Sequence, residues 1–261
     1  MAEPIAAAYG WRVPAADGDP WLALHGAKAW PDLEIEWSGE RAPAGAAAQT
    51  VTTELRDGQA VARLPDPAGG LLAHPLLGTA ALRLAGARGQ LAVHGGAIRG
   101  RAGAWLVIGP KEGGKSSLLA TASLAGADVL CDDVAVVDDG RLLTGPRLVD
   151  LRAPAAQALD ADTTPVRDGE RYRLRLAPTE AETVVAGVVH LAWDARIGIR
   201  RLSPAERLGL LAAAPIADLW LVEATWHLDL SSLPTLELTR PQRWSEVHRA
   251  TLELLEAIEA G

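Results

Sequence analysis

The chain has 261 residues, 49% of them apolar and 22% charged, with a formal net charge of −8. Those proportions are close to the globular average and the length allows a sizeable hydrophobic core, in one large domain or two small ones, which argues against disorder and membrane residence. The negative charge opposes nucleic acid as a general partner, and the single cysteine, Cys131, excludes an intrachain disulfide and a thiolate zinc cage.

The N-terminus carries no basic cluster followed by an apolar run, and the longest apolar stretches, 183–193 and 208–224, are too short or are broken by Pro215 and Asp218. No membrane partner is expected, and the expected location is the cytoplasm. Residues 1–72 mix short apolar runs with Gly, Pro and Asp, as in Leu33 to Trp37 followed by Ser38-Gly39, which predicts a β-rich region that could bind substrate. Arg41 to Ala48 is expected to be a loop and Leu76 to Ala87 a helix. Four of the nine Trp (Trp11, Trp21, Trp30 and Trp37) fall in this first part, and the chain has no Phe. Trp is therefore expected to fill core that Phe would otherwise fill, with a Trp-lined groove as the alternative.

From Gln90 onward, Leu91–His94 and Ala104–Ile108 read as two strands joined through the turn-rich 99–103, which predicts a hairpin. A helix is expected over 114–125, stopped by Gly126. Val129–Cys131 predicts a further strand, and Val134–Val137 with Asp139-Gly140 predicts a hairpin back through Arg141–Leu143. Val184–Trp193 reads as a buried strand. Ser203-Pro204-Ala205-Glu206 reads as a capping box opening a helix. The segment 244–258 reads as an amphipathic helix whose apolar face includes Trp244, Val247, Thr251, Leu254, Leu255 and Ile258. Mixed strands and helices point to an α/β layer structure.

Gly109-Pro110-Lys111-Glu112-Gly113-Gly114-Lys115-Ser116 satisfies the phosphate-loop pattern G-x-x-x-x-G-K-[ST] and lies between an expected strand and an expected helix, as its mechanism requires. Glycines let the backbone curl its N–H groups toward phosphate oxygens, and the helix N-terminus adds partial positive charge. Residues Gly109 to Ser117 are thus the candidate nucleotide site, with Lys115 reaching the β- and γ-phosphates and Ser116 ligating Mg²⁺. Asp132-Asp133, at a strand end 17 residues after Lys115, supply carboxylates that can hold Mg²⁺ or accept a proton from a hydroxyl. Asp138-Asp139, followed by Gly140, read instead as a solvated turn. His94 ends the strand before the loop strand and is a catalytic candidate. The other histidines (His25, His74, His190, His227 and His248) lack metal-ligand spacing and read as structural or surface residues. Arg152, Arg171, Arg173 and Arg175 are candidates for stabilising transferred charge. Alternation puts the last three on one strand face, which suits phosphate or an acidic peptide, or else is a solvated face.

The order His94-Gly95-Gly96, hairpin, phosphate loop, single helix and Cys131-Asp132-Asp133 resembles the catalytic core of the HPr kinase/phosphorylase family. It is more similar to the shorter HPr-kinase-like proteins of ribosomal-peptide biosynthesis, including lasso-peptide kinases. Pro75-Leu76-Leu77-Gly78, Gly145-Pro146-Arg147-Leu148 and Val188-Val189-His190-Leu191 fit the same pattern. The likeness is firm over about 75–150.

The resemblance implies a P-loop kinase core of the HPr kinase/PEP carboxykinase type over 73–261, with the N-terminal β-rich region before it. It implies ATP and Mg²⁺, with Lys115 and Ser116 at the nucleotide, Asp132 as base, Asp133 at the metal, and His94 orienting or sharing the proton. The family's loop has Ser-Gly where this chain has Lys111-Glu112-Gly113, and the family's downstream Gly-rich signature is missing, so HPr is not the expected substrate. The expected reaction is transfer of the γ-phosphate to a Ser or Thr hydroxyl of a peptide or protein, with a ribosomal-peptide precursor as one candidate. A small-molecule hydroxyl kinase and a non-catalytic nucleotide-binding partner protein are the alternatives; a homo-oligomer is left open.

Overall fold

The computed structural model describes residues 4–16, 19–40, 47–67, 70–213 and 230–260. The loop expected at 41–48 falls largely outside these, its last two residues opening a helical turn over Ala47–Thr50; His227 lies outside them altogether.

The fold is mixed α/β, and a nine-stranded sheet carries the site. Its long strand, Glu182–Trp193, has the loop strand Gly103–Ile108 parallel on one edge, with Leu106 opposite Val188 and Ile108 opposite His190. Its other edge pairs first with Arg141–Leu143, antiparallel, and then with Thr235–Arg240, parallel. Beyond the loop strand lie Gly96–Gly100 and Val129–Cys131; beyond Arg141–Leu143 lie Val134–Asp138 and Leu91–His94. Side chains alternate across the loop strand as a period of two demands. Trp105 and Val107 enter the core under the helices Lys115–Leu124 and Trp244–Ala260, while Ala104 and Leu106 enter the core of the opposite face.

The hairpin forms, but not between the expected strands. Gly96–Gly100 pairs with the loop strand, whereas Leu91–His94 pairs with Val134–Asp138. The chain changes strand at Gly95, where a β-carbon would lie 2.5 Å from the Val107 carbonyl oxygen, so only glycine lets the backbone pass so close.

Several local expectations match the structure. Gly126 takes a left-handed φ of 89° after the helix Lys115–Leu124. Asp139 and Gly140, at φ 44° and 71°, make the two-residue turn between Val134–Asp138 and Arg141–Leu143. Ser203 and Glu206 form the reciprocal capping box, with the Ser203 N–H donating to Glu206 Oε2 at 2.8 Å and the Glu206 N–H to Ser203 Oγ at 3.4 Å.

The first part of the chain contributes the strands Ile5–Ala8, Ala23–His25, Leu33–Trp37, Thr52–Arg56 and Gln59–Leu64. It is knitted to the rest by Ala23–His25, which pairs in parallel with Thr179–Glu180, and by a core shared with the helix Leu77–Ala87. Trp11, Trp30 and Trp105 are buried, as core-filling predicts, and Trp21 is partly buried against the core, whereas Trp37, Trp193 and Trp244 remain 41%, 39% and 47% exposed. Among the described residues, no helix is long and apolar enough to cross a membrane.

Candidate active site

A half-open cleft of about 710 Å³ lies at the C-terminal ends of the loop strand and its parallel neighbours. One wall is the phosphate loop, whose backbone turns through left-handed Glu112 and Gly114, φ 63° and 76°. Gly114 is confined as well as turned, because a β-carbon there would sit 2.3 Å from Arg240 Nη2. The helix it opens has no side-chain cap, so its first N–H groups are available to a ligand. Lys115 is buried, and its Nζ donates to the carbonyls of Gly109 and Pro110 at 3.0 and 3.1 Å. Lys111 to Ser117 line the cleft, whereas Gly109 and Pro110 do not.

The second wall is carboxylate and imidazole. The register of Leu91–His94 on Val134–Asp138 sets His94 opposite Val134, and the Gly95 N–H donates to the Asp133 carbonyl at 3.1 Å, so His94 and the aspartate pair meet through backbone pairing. Asp132 is 7% exposed and accepts from Ser116 Oγ at 3.1 Å. Burial pushes its carboxyl up to about 7; the charge of Asp133 adds to this and the Ser116 bond opposes it. Asp133, at a left-handed φ of 69°, is less buried, with Oδ1 3.3 Å from His94 Nδ1 and Oδ2 3.6 Å from His74 Nε2.

His74, read from sequence as a structural or surface residue, lines the cleft with its side chain 12% exposed beside Asp133. Burial holds its imidazole below the ordinary value against the pull of Asp133 and Asp150. Its position precedes the helix Leu77–Ala87 and carried no motif that marked it.

The remaining walls also depart from expectation. Arg173 is buried and donates to both carboxylate oxygens of Asp150, at 2.7 and 2.9 Å, because cross-strand register places the two opposite each other. Burial alone would raise Asp150, but the Arg173 bonds outweigh it and hold that carboxyl below its usual range. Arg173 therefore holds the fold together, and Arg175 is exposed away from the cleft. Arg171 and Arg152 do line it, together with Arg167, which sequence reading did not single out.

Arg240 is buried, stacked at 4.8 Å over the Trp193 ring, and donates through Nη2 to the carbonyls of Gly113 and Gly114 at 3.3 and 3.0 Å. Burial lowers its pKa to about 10. Trp193 and Trp244 offer aromatic surface to the same cleft, so Trp244 leaves the apolar face it was expected to share.

No family model matches the sequence, and no curated protein matches it. Among solved structures, the Hpr(Ser) kinase/phosphatase from Coxiella burnetii is similar over 64% of this chain and 95% of its own, at 11% identity and a TM-score of 0.32. A likeness that distant says nothing of activity, so the chemistry is read from the cleft itself.

The cleft suits a nucleoside triphosphate with Mg²⁺. An uncapped helix N-terminus, a left-handed loop and a buried lysine match phosphate oxygens. Among the described residues, no cluster of three or more His, Cys, Asp and Glu could hold a metal without a ligand. The Ser116 hydroxyl beside Asp132 is a pair of oxygens that could hold Mg²⁺ together with substrate phosphates.

Proposed function

We propose that the chain is a phosphotransferase that takes ATP with Mg²⁺ and transfers the γ-phosphate to a Ser or Thr hydroxyl of a peptide or protein. The observation that carries this reading is one cleft shared by the phosphate loop and by Asp133, which has an imidazole near each carboxylate oxygen. Residues 73–261 form the kinase-like core in this reading, and residues 1–72 contribute to substrate binding.

Lys115 would exchange its bonds to loop carbonyls for phosphate oxygens. Ser116 and Asp132 would hold Mg²⁺, which neutralises phosphate charge when bound. This reading exchanges the aspartate roles expected from sequence: Asp132 is tied to the loop hydroxyl, so Asp133 is the carboxylate free to take the acceptor's proton. His94 Nδ1 and His74 Nε2 would fix its two oxygens, one each. Trp193 and Trp244 offer stacking surface to the base, which does not read base edges and so separates ATP weakly from GTP.

One observation favours a catalytic reading over a non-catalytic nucleotide-binding partner. Glu112, the carboxylate that sets this loop apart, pairs with Arg152 at 3.0 Å, so a cation matches its charge. The sequence resemblance names a ribosomally made precursor peptide as the first acceptor to try.

The test is incubation with γ-labelled ATP, Mg²⁺ and a panel of Ser and Thr peptides, followed by phosphoamino-acid analysis. Label on the peptide hydroxyl supports the reading. ATP bound but no label on any hydroxyl would sink it.

A further inference from the structure

Facing the phosphate loop across the cleft is the three-stranded sheet Leu148–Leu151, Arg171–Arg175 and Thr163–Val166. The chain leaves its last strand at Arg167, whose backbone is left-handed at φ 53°, a conformation uncommon for a side-chain-bearing residue. The Arg167 side chain is 13% exposed, and among the described residues its buried Nε and Nη2 have no hydrogen-bond partner. Its nearest carboxylate oxygen, Asp150 Oδ2, is 3.5 Å away and already accepts from Arg173. Arg171 lines the cleft on the same side. Among its described residues this wall therefore holds more cation than carboxylate, with buried N–H groups lacking an acceptor, an arrangement that is costly unless a ligand supplies one.

Position decides which ligand. Arg167 stands 3.5 Å from Asp150, Arg173 donates both to Asp150 and to the His74 carbonyl, and His74 Nε2 is 3.6 Å from Asp133 Oδ2, so Arg167 belongs to the Asp133 side of the cleft. Lys115 and Ser116 stand on the loop wall. A planar guanidinium with adjacent donors matches a carboxylate or phosphate group in two-point contact.

We infer that Arg167 and Arg171 form a second anion subsite, which binds a carboxylate or phosphate carried by the acceptor beside the hydroxyl that is phosphorylated. This rests on the phosphotransferase reading and deepens it: the acceptor is an anionic one, with its charge on the Arg167 side and its hydroxyl at Asp133.

The experiment uses the full chain and three Ser peptides that differ only in the residues flanking Ser: Glu, phosphoserine or Gln. Wild type is expected to favour an anionic peptide over the Gln peptide by about tenfold or more in kcat/KM. The Glu and phosphoserine arms separate carboxylate from phosphate. Arg167→Gln should remove that preference by raising KM for the anionic peptide, with the Kd of a non-hydrolysable Mg·ATP analogue unchanged. Arg171→Gln, on a less buried side chain, should do the same in part, and Arg167→Lys should recover part of the preference. Equal losses on anionic and Gln peptides, or a weakened nucleotide Kd, would overturn the inference, because Arg167 would then serve the transferring phosphate or the fold. If no peptide is phosphorylated, the phosphotransfer reading fails separately. The subsite is then tested with inorganic phosphate on protein saturated with the Mg·ATP analogue. Binding lost in Arg167→Gln supports it, and no binding to wild type overturns it.

Discussion

Replacing Asp132 with Asn should stabilise the metal-free protein while removing its activity. The carboxyl is buried and its pKa stands near 7 against an ordinary 3.8, a gap of about three units, and each unit is worth about 1.4 kcal/mol. A carboxyl whose folded-state pKa is raised favours the protonated folded form, so its contribution is fully present below pH 3.8 and is lost as pH rises through 7. Ionised Asp132 thus costs up to about 4 kcal/mol above pH 7, and roughly half of that or less at pH 5. Asn carries no charge and can still accept from Ser116 Oγ. The stability of Asp132→Asn relative to wild type should therefore rise by about 2–3 kcal/mol between pH 5 and pH 8, or roughly 5–10 °C in Tm for a chain of this size. Thermal and urea unfolding in EDTA at the two pH values measure it. Mg²⁺ with nucleotide should then stabilise wild type and not the variant. A stability difference that stays constant with pH, or that turns against Asn at pH 8, would refute the reasoning.

Arg173→Met breaks the buried Asp150 pair and leaves that carboxylate uncompensated, so urea unfolding should show a loss of about 3–5 kcal/mol. Gly114→Ala forces a side chain onto left-handed backbone against Arg240; it should cost about 1–3 kcal/mol and weaken Mg·ATP binding as measured by calorimetry. Trp244→Ala should weaken ATP and GTP alike, by about 5-fold to 100-fold, because stacking is blind to the base edge. Ser203→Ala opens the capping box and should lower stability by about 1 kcal/mol with no effect on nucleotide affinity.

What the sequence made legible is local. The curled glycine-rich loop between strand and helix, the stop at Gly126, the Asp139-Gly140 turn and the Ser203 box each lie within a few residues whose chemistry dictates the backbone. Features set by distant pairing were not legible. Leu91–His94 and Ala104–Ile108 have the composition of hairpin partners, but the close approach at Gly95 hands that role to Gly96–Gly100. His74 and Asp133 meet only through the fold, and the Arg171–Arg175 alternation looked uniform until Asp150, on the neighbouring strand, claimed Arg173 alone. Arg167 had no pattern at all; its left-handed backbone and unpartnered donors exist only in three dimensions.

The claim on which the rest depends is that the loop from Gly109 to Ser117 binds a nucleoside triphosphate with Mg²⁺. Calorimetric titration of wild type and Lys115→Ala with Mg·ATP tests it most directly. The account predicts saturable, Mg²⁺-dependent binding to wild type and a Kd weakened by about fiftyfold or more in the variant, as loss of a charge-assisted phosphate contact requires. Equal affinities in the two proteins, or affinity unchanged when Mg²⁺ is chelated, would contradict it.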